Sequence, residues 1–367
     1  MEQLDIFDLG VEYHYRPPLY FTRPVRLFEA FAGVGCQAMA FRRAKLPYVS
    51  VGISEIDKYA IKSYEAIHGK TTNYGDIKLM GEIPPCDVFT WSFPCTDLSK
   101  AGKRKGMTED TRSGLVYEVL RLLRDTYGYI PHRHTPKRSK IHTMGESTDY
   151  YAVGDHSKLP KVLIMENVPD LVQEAFKAQF YEIQKEIATY GYKNFTLTLN
   201  AKDFGVAQNR DRVFMVSLLG DYHYEFPMPF RLEKRLKDYL EPNVPEKYYL
   251  SDKMIQYFND NSQANEEKGN GFRFKPQGGD EPAKAITTRA GGRMDDNFVR
   301  EPTLSQEQSK MRIRKLCPIE VWRLMGISDD DFYKAQKVCS NSQLYKQAGN
   351  GIVVDVFAAI LKNLISQ

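Results

Sequence analysis

From residue 25 onward, short apolar runs alternate along the chain with stretches in which apolar residues recur at helical spacing. VRLFEAF, YVSVGIS, CDVFTWSF and KVLIMENV read as strands, and CQAMAFRRA, DKYAIKSYEAIHG, SGLVYEVLRLLRDTYG and AFKAQFYEIQKEIATYGY between and after them read as helices. This alternation predicts an α/β fold with a parallel, doubly wound, Rossmann-like sheet. FTLTLNAKDFG and RVFMVSLLG follow without a long helix between them, which predicts an antiparallel closing pair.

From about residue 221 the periodicity dissolves into DYHYEFPMPF, EPNVPEKYYL and NSQANEEKGNG, rich in proline, asparagine and glycine. The shift predicts a second, smaller lobe. Helical spacing returns in CPIEVWRLMG and IVVDVFAAILKNLI, so the chain is expected to re-enter the first domain. The predicted division is an N-terminal extension at 1–22, a sheet domain at 23–224 completed by 335–367, and a second domain at 225–334. The segment 131–157, with Arg133, Lys137, Arg138 and Lys140, is longer than usual connections in such units and reads as a solvated surface insertion.

With 367 residues, 42% of them apolar, the chain can bury a core of this kind. A net charge of +4, from 51 basic and 47 acidic residues, is too mild to name a partner. The five cysteines, Cys36, Cys86, Cys95, Cys317 and Cys339, stand far apart without paired metal-type spacing and read as reduced cytoplasmic thiols. The N-terminus lacks an apolar export segment, and no stretch approaches a membrane span, so neither export nor insertion is expected.

Candidate chemistry gathers at the predicted strand ends. Pro94 stops the run before Cys95, and a polar, glycine- and lysine-rich stretch follows, so the thiol stands at a turn instead of inside an apolar run. That placement makes it a candidate nucleophile, against a buried inert thiol as the alternative. Gly33 and Gly35 lie between a strand and a helix, where bare backbone lets amides approach a ligand; a plain tight turn is the alternative. Glu55 ends the next strand in a position suited to ribose hydroxyls, and Asp76 in YGDIKLM suits an adenine amino group, with helix or turn caps as the bland readings. LIMENVPDL ends its strand with Glu166 and Asn167 at the sheet edge that carries Cys95. Gln208, Arg210 and Arg212 alternate in AQNRDRVFMV and are expected to face one side together, suiting a phosphate, a carboxylate or a base carbonyl.

The ordered set FAGVG, EID, GDI, FPCTDLSKAG, MENV, QNRDR, RKLCPIEVWRLMG and QAGNGIVVDV resembles the DNA (cytosine-5)-methyltransferase family over almost the whole chain. The resemblance implies a target-recognition function for the second domain. It implies S-adenosylmethionine as cofactor, lined by Phe31, Gly33, Gly35, Glu55, Ile56, Asp76, Ile77, Pro94, Leu115 and Asn350. Cys95, Glu166 and Arg212 would handle the cytosine, and Arg210 would hold the site's backbone or a DNA phosphate. Gln208, Lys103, Arg104, Arg289 and Arg293 are the expected DNA contacts, the last two from KAITTRAGGRMDDNF. SKAGKRKGMTEDTRSG reads as a closing loop, with Gly102 and Gly106 as pivots and Lys100, Lys103, Arg104 and Lys105 facing phosphates.

Two positions depart from the family pattern: Thr96 stands where glutamine is usual, and Gly351 where serine or alanine is common. The resemblance implies duplex DNA as partner, a monomeric, metal-free enzyme of bacterial or phage origin, and a cognate restriction endonuclease as a candidate companion. A transfer RNA cytosine-5 methyltransferase is the runner-up, disfavoured by the sizeable second lobe. A catalytically silent DNA-binding homologue would have no chemical need for Cys95, Glu166 and Arg212 together.

Overall fold

The computed structural model describes residues 17–95, 98, 106–108, 111–128, 154–269, 271, 273–289, 291–302 and 311–366. Its centre is a six-stranded sheet in the order β3-β2-β4-β5-β8-β6. The strands are β2 (Val25–Ala30), β3 (Tyr48–Ser54), β4 (Val88–Trp91), β5 (Val162–Asn167), β6 (Tyr192–Asn200) and β8 (Asp211–Leu219). The first four are parallel. β8 runs antiparallel to both β5 and β6, which is the predicted closing pair.

Strand periodicity explains why the inner strands read as unbroken apolar runs. In β5, Val162 and Ile164 enter one core cluster, while Leu163 and Met165 enter the other. A strand covered on both faces has no solvent side to mark with polar residues. Helices α1 (Cys36–Ala44) and α9 (Val354–Leu364) pack together on one face; α3 (Val116–Tyr127) and α4 (Lys177–Thr189) feed the other. After β3 and α2 (Lys58–His68), the chain crosses β2 to place β4 on its far side. This reversal opens a crevice beyond the carboxyl ends of β2 and β4, where ligands bind in such sheets. β1 (Leu19–Tyr20) pairs with the chain's end, β12 (Ile365–Ser366).

The second lobe contains the antiparallel pair β10 (Phe298–Pro302) and β11 (Met311–Lys315) and the helix α5 (Asp252–Glu267). That helix covers NSQANEE, which the polar composition assigns to irregular chain. Phe258 is its one buried residue and meets Phe274 and Phe298, so a single aromatic anchor replaces the apolar stripe. Arg314 and Glu320, both wholly buried, tie β11 to α6 (Pro318–Arg323) through a bidentate pair of 2.8 and 2.9 Å. Glu301 also accepts from Arg314 at 2.6 Å. The following α7 (Asp329–Gln336) packs on α2, and Asp331 pairs with Arg42 at 2.6 Å, so the chain is back on the sheet domain by residue 329, ahead of the expected 335. α8 (Asn341–Asn350) then leads into α9.

Candidate active site

The turn after β2 departs from ordinary backbone at Phe31, Gly33 and Gly35, with φ of 55°, 57° and 78°. A non-glycine residue held there signals a local constraint of the kind found at functional sites. The cause at Gly35 is visible: a Cβ would fall 2.7 Å from Tyr64 and 2.4 Å from His68. Tyr64 donates to the buried Glu29 at 2.7 Å, and burial pushes that carboxyl up to about 7. His68 reaches the Val34 carbonyl through Nε2 at 3.0 Å, and burial lowers the ring to about 4, leaving a neutral imidazole that donates. Tyr64 and His68 therefore support the glycine turn from below, a role that α2's helical spacing alone does not reveal.

Open space lies before Gly33, where an added Cβ would meet nothing within 4 Å. Helix α1 starts behind the turn with no side-chain cap and no acid in its first turn. One amide of that turn is already occupied: Ala38 N donates to the buried Glu29 carboxylate at 3.3 Å. Glu55 lies across the turn and accepts from Gly33 N at 2.8 Å and from Ile56 N and Asp57 N, both at 2.8 Å. Ile56 is 72% exposed beside it, a bare apolar face at the crevice. Asn73, missed by sequence reasoning, binds both the amide and the carbonyl of Glu55. Asp76 caps its own short turn at Lys78 N, as the bland reading had it. Ile77, expected to line the site, is only 2% exposed and its side chain is turned into the core. Leu115 is half-buried and Asn350 exposed at the end of α8. An open glycine turn, a carboxylate beside it and an exposed isoleucine are compatible in chemistry with a nucleoside ligand.

Cys95 follows β4 and is half-buried. Its turn is fastened on both sides: Asn167 donates to the Phe93 carbonyl at 3.0 Å, and the buried Ser113 to the Pro94 carbonyl at 2.7 Å. Glu166 ends β5, and the antiparallel register brings the start of β8 to the same edge, opposing Glu166 with Phe214 and Asn167 with Val213. Arg212 Nε consequently lies 3.1 Å from Glu166 Oε1, while Ser92 Oγ donates to Oε2 at 2.7 Å. Sequence reasoning missed Ser92 and Ser113; small hydroxyl residues flanking a fastened turn are the only signal they carry.

Burial pushes the Cys95 thiol up from its usual range, Arg212 opposes that shift, and Glu166 adds to it. The free enzyme should therefore hold Cys95 as a thiol at neutral pH. Peptide-resolved iodoacetamide labelling is expected to show Cys95 alkylation rising with pH to a midpoint above the ~8.5 of a free thiol. A midpoint below that would contradict the electrostatics described.

Gln208 and Arg210 do not join Arg212 on a common face. β7 (Gln208–Asn209) ends at Arg210, which breaks the strand before β8, and pairs in parallel with β9 (Ala283–Lys284) of the second lobe. Gln208 is wholly buried, accepting from Ile286 N at 2.9 Å and donating to the Leu324 carbonyl, so the expected DNA contact is corrected. Arg210 is 3% exposed and donates to the carbonyls of Ile286, Gly349 and Gly351 at 2.8, 3.2 and 2.9 Å. A guanidinium spent on backbone carbonyls has no surface for a phosphate, which leaves the backbone-holding half of its expected role and corrects a direct catalytic one. Gly351 has a reason as well: a Cβ there would lie 3.1 Å from the Cys36 sulfur. Arg289 and Arg293 are exposed. Thr96 and the basic loop residues Lys100, Gly102, Lys103, Arg104 and Lys105 lie outside the described residues, as do Arg133, Lys137, Arg138 and Lys140; Gly106 is described, at φ 78°.

The model of the C-5 cytosine-specific DNA methylase family matches residues 25–130 and 150–366. The chain is 30% identical to the type II methyltransferase M2.ScrFI of Lactococcus lactis subsp. cremoris, covering 93% of this chain and 99% of that protein. It is 29% identical to the orphan methyltransferase M.SPBetaI of Bacillus phage SPbeta, over 93% of this chain and 97% of the relative. Among solved structures, the Entamoeba histolytica methyltransferase EhMeth superposes with a TM-score of 0.69 at 19% identity, covering 94% of this chain and 98% of that one. A match spanning both lobes, together with the 30% relative aligned nearly end to end, shows that the chain belongs to the C-5 cytosine-specific DNA methylase family.

Proposed function

We propose that this chain methylates C5 of a cytosine flipped out of a specific duplex DNA sequence, through a covalent Cys95 adduct and with S-adenosylmethionine as methyl donor. The observation that carries the reading is the convergence, at one sheet edge, of a fastened Cys95 turn with the Glu166–Arg212 pair. Phe31, Gly33, Gly35, Glu55, Ile56, Pro94, Leu115 and Asn350 are the residues proposed to hold the cofactor, with Asp76 beside the adenine and Ile77 contributing backbone only. When bound, the cofactor supplies an electrophilic methyl to C5.

The protein's part begins with access, since a stacked base hides C6; flipping costs a few kcal/mol, which contacts to phosphates must offset. Cys95 passes its proton to water and adds through sulfur to C6, moving the C5–C6 π pair towards C5 and the ring carbonyl. The Glu166 carboxyl hydrogen-bonds to N3 and the amino group, while Arg212 donates to O2. When water removes the C5 proton, the C5–C6 double bond re-forms and the Cys95 sulfur leaves. Residues 225 to about 330 are proposed to read the neighbouring bases through a groove, with Arg289 and Arg293 as candidate contacts.

Bisulfite sequencing of plasmid DNA from cells expressing the chain tests this reading and reports the methylated word. Unmethylated plasmid despite folded, abundant protein would refute it. Because Ser92 holds one oxygen of Glu166, Ser92→Ala is expected to slow single-turnover methyl transfer about tenfold, the cost of roughly one hydrogen bond to a charged group, with little change in KM for DNA. Ser92→Thr should restore most of the rate, and an unchanged rate in Ser92→Ala would show that Glu166 needs no such support.

A further inference from the structure

The residues expected on DNA but found buried, Gln208 and Arg210, grip both backbone groups of one residue, the amide and carbonyl of Ile286. Beyond Ile286 runs the loop that exposes Arg289 and Arg293. Its base is closed by Asn297, whose side chain both accepts from Lys284 N at 2.8 Å and donates to the Lys284 carbonyl at 3.0 Å. Its interior is gathered by Asp296, which is only 4% exposed. One oxygen of that carboxylate accepts from the Thr287 hydroxyl at 2.9 Å; the other accepts from the amides of Gly291, Gly292 and Arg293 at 3.0, 2.9 and 2.9 Å. The loop also rests directly on α8: a Cβ at Gly349 would fall 2.3 Å from Thr288 N. Gly349 immediately precedes Asn350 of the proposed cofactor site.

We propose that Asp296 is a positioning residue for sequence recognition, holding the Thr287–Arg293 loop in its reading shape before DNA arrives. The inference rests on the function proposed above. A carboxylate saturated by donors from both ends of a loop removes most of its freedom, so the arginines need not be ordered at the cost of binding energy. The grip of Gln208 and Arg210 on Ile286 anchors the start of the loop to the segment between β7 and β8. Asp296 thereby acts on which neighbours are accepted, while the reacting groups stand on another part of the fold.

The test uses the full-length enzyme and the methylated word mapped for the wild type. Cognate and singly mismatched duplexes are compared for Asp296→Ala, Asp296→Asn and Thr287→Val, with thermal unfolding as the control for folding. The expected result for the Asp296 variants is a KM for DNA raised, and a cognate-to-mismatch ratio lowered, by about tenfold each, the scale of one lost base contact. The single-turnover rate at saturating cognate DNA should fall far less. Thr287→Val removes one of the four donors at the surface and should shift the ratio in the same direction by less. If Asp296→Ala does not fold, the Asn and Val variants carry the test. Folded variants with wild-type discrimination, or a loss confined to the single-turnover rate, would overturn the inference and leave the proposed function standing. A wild-type enzyme that methylates no duplex DNA would overturn both.

Discussion

Cys95→Ser is expected to reduce methyl transfer by roughly four orders of magnitude or more while DNA binding survives. Serine keeps the shape of the side chain, and neither backbone fastening of the turn, from Asn167 to Phe93 and from Ser113 to Pro94, involves the thiol. What disappears is the nucleophile: sulfur attacks an electron-poor ring carbon far more readily than neutral oxygen. The companion result is a stable adduct between the wild-type enzyme and DNA containing 5-fluorocytosine. Fluorine at C5 cannot depart as a proton does, so the sulfur remains bonded to C6, and intact-mass analysis should show enzyme joined to DNA through the peptide containing Cys95. Turnover by the serine variant close to wild type would end the covalent mechanism, as would the absence of any adduct under methylating conditions.

The second large effect is on stability. Glu320→Ala is expected to lower the unfolding free energy by about 3–5 kcal/mol, a large share of the 5–15 kcal/mol of an ordinary domain. Glu320 accepts from both arms of Arg314 and from the amides of Cys317 and Glu241. Removing it leaves a wholly buried guanidinium with Glu301 as its carboxylate partner and the Lys315 carbonyl as a neutral acceptor, and strands two backbone donors. The surface pair of Arg312 with Glu246, whose acid is 79% exposed, is the internal control: Glu246→Ala should change stability by less than about 1 kcal/mol. Urea unfolding of the two variants measures both. Similar losses would mean that burial is not what gives the Arg314–Glu320 pair its importance.

Much of the sheet domain was legible because its strands are local and uniform. YVSVGIS and CQAMAFRRA coincide with the observed β3 and α1. The crossing of helical and strand periods needs no partner to be seen, and a strand covered on both faces announces itself as an apolar run. α5 escaped because one phenylalanine anchors an otherwise polar helix, and helices α7 and α8 because their short apolar sets become a face only against α2 and α6.

The site divides along the same physical line. Cys95, Glu166 and Arg212 could be marked from sequence because the first two follow or close parallel strands, whose carboxyl ends share one edge, and the third opens the antiparallel strand that starts there. Sequence alone also determined the turn at Gly33 and Gly35, since backbone freedom is a property of the residue itself. Only the tertiary structure decided the fates of Gln208 and Arg210. Three residues at alternate positions share a face while the strand continues, but here the strand stops between them, and carbonyls from distant segments offer a buried amide and guanidinium better company than solvent. The same holds for Ser92, Asn73 and Asp296. A hydroxyl, an amide or a carboxylate can hydrogen-bond to whatever the fold brings within 3 Å, and that neighbour is set by chain segments scores of residues away or by the curl of a loop, neither of which leaves a periodic trace in the sequence.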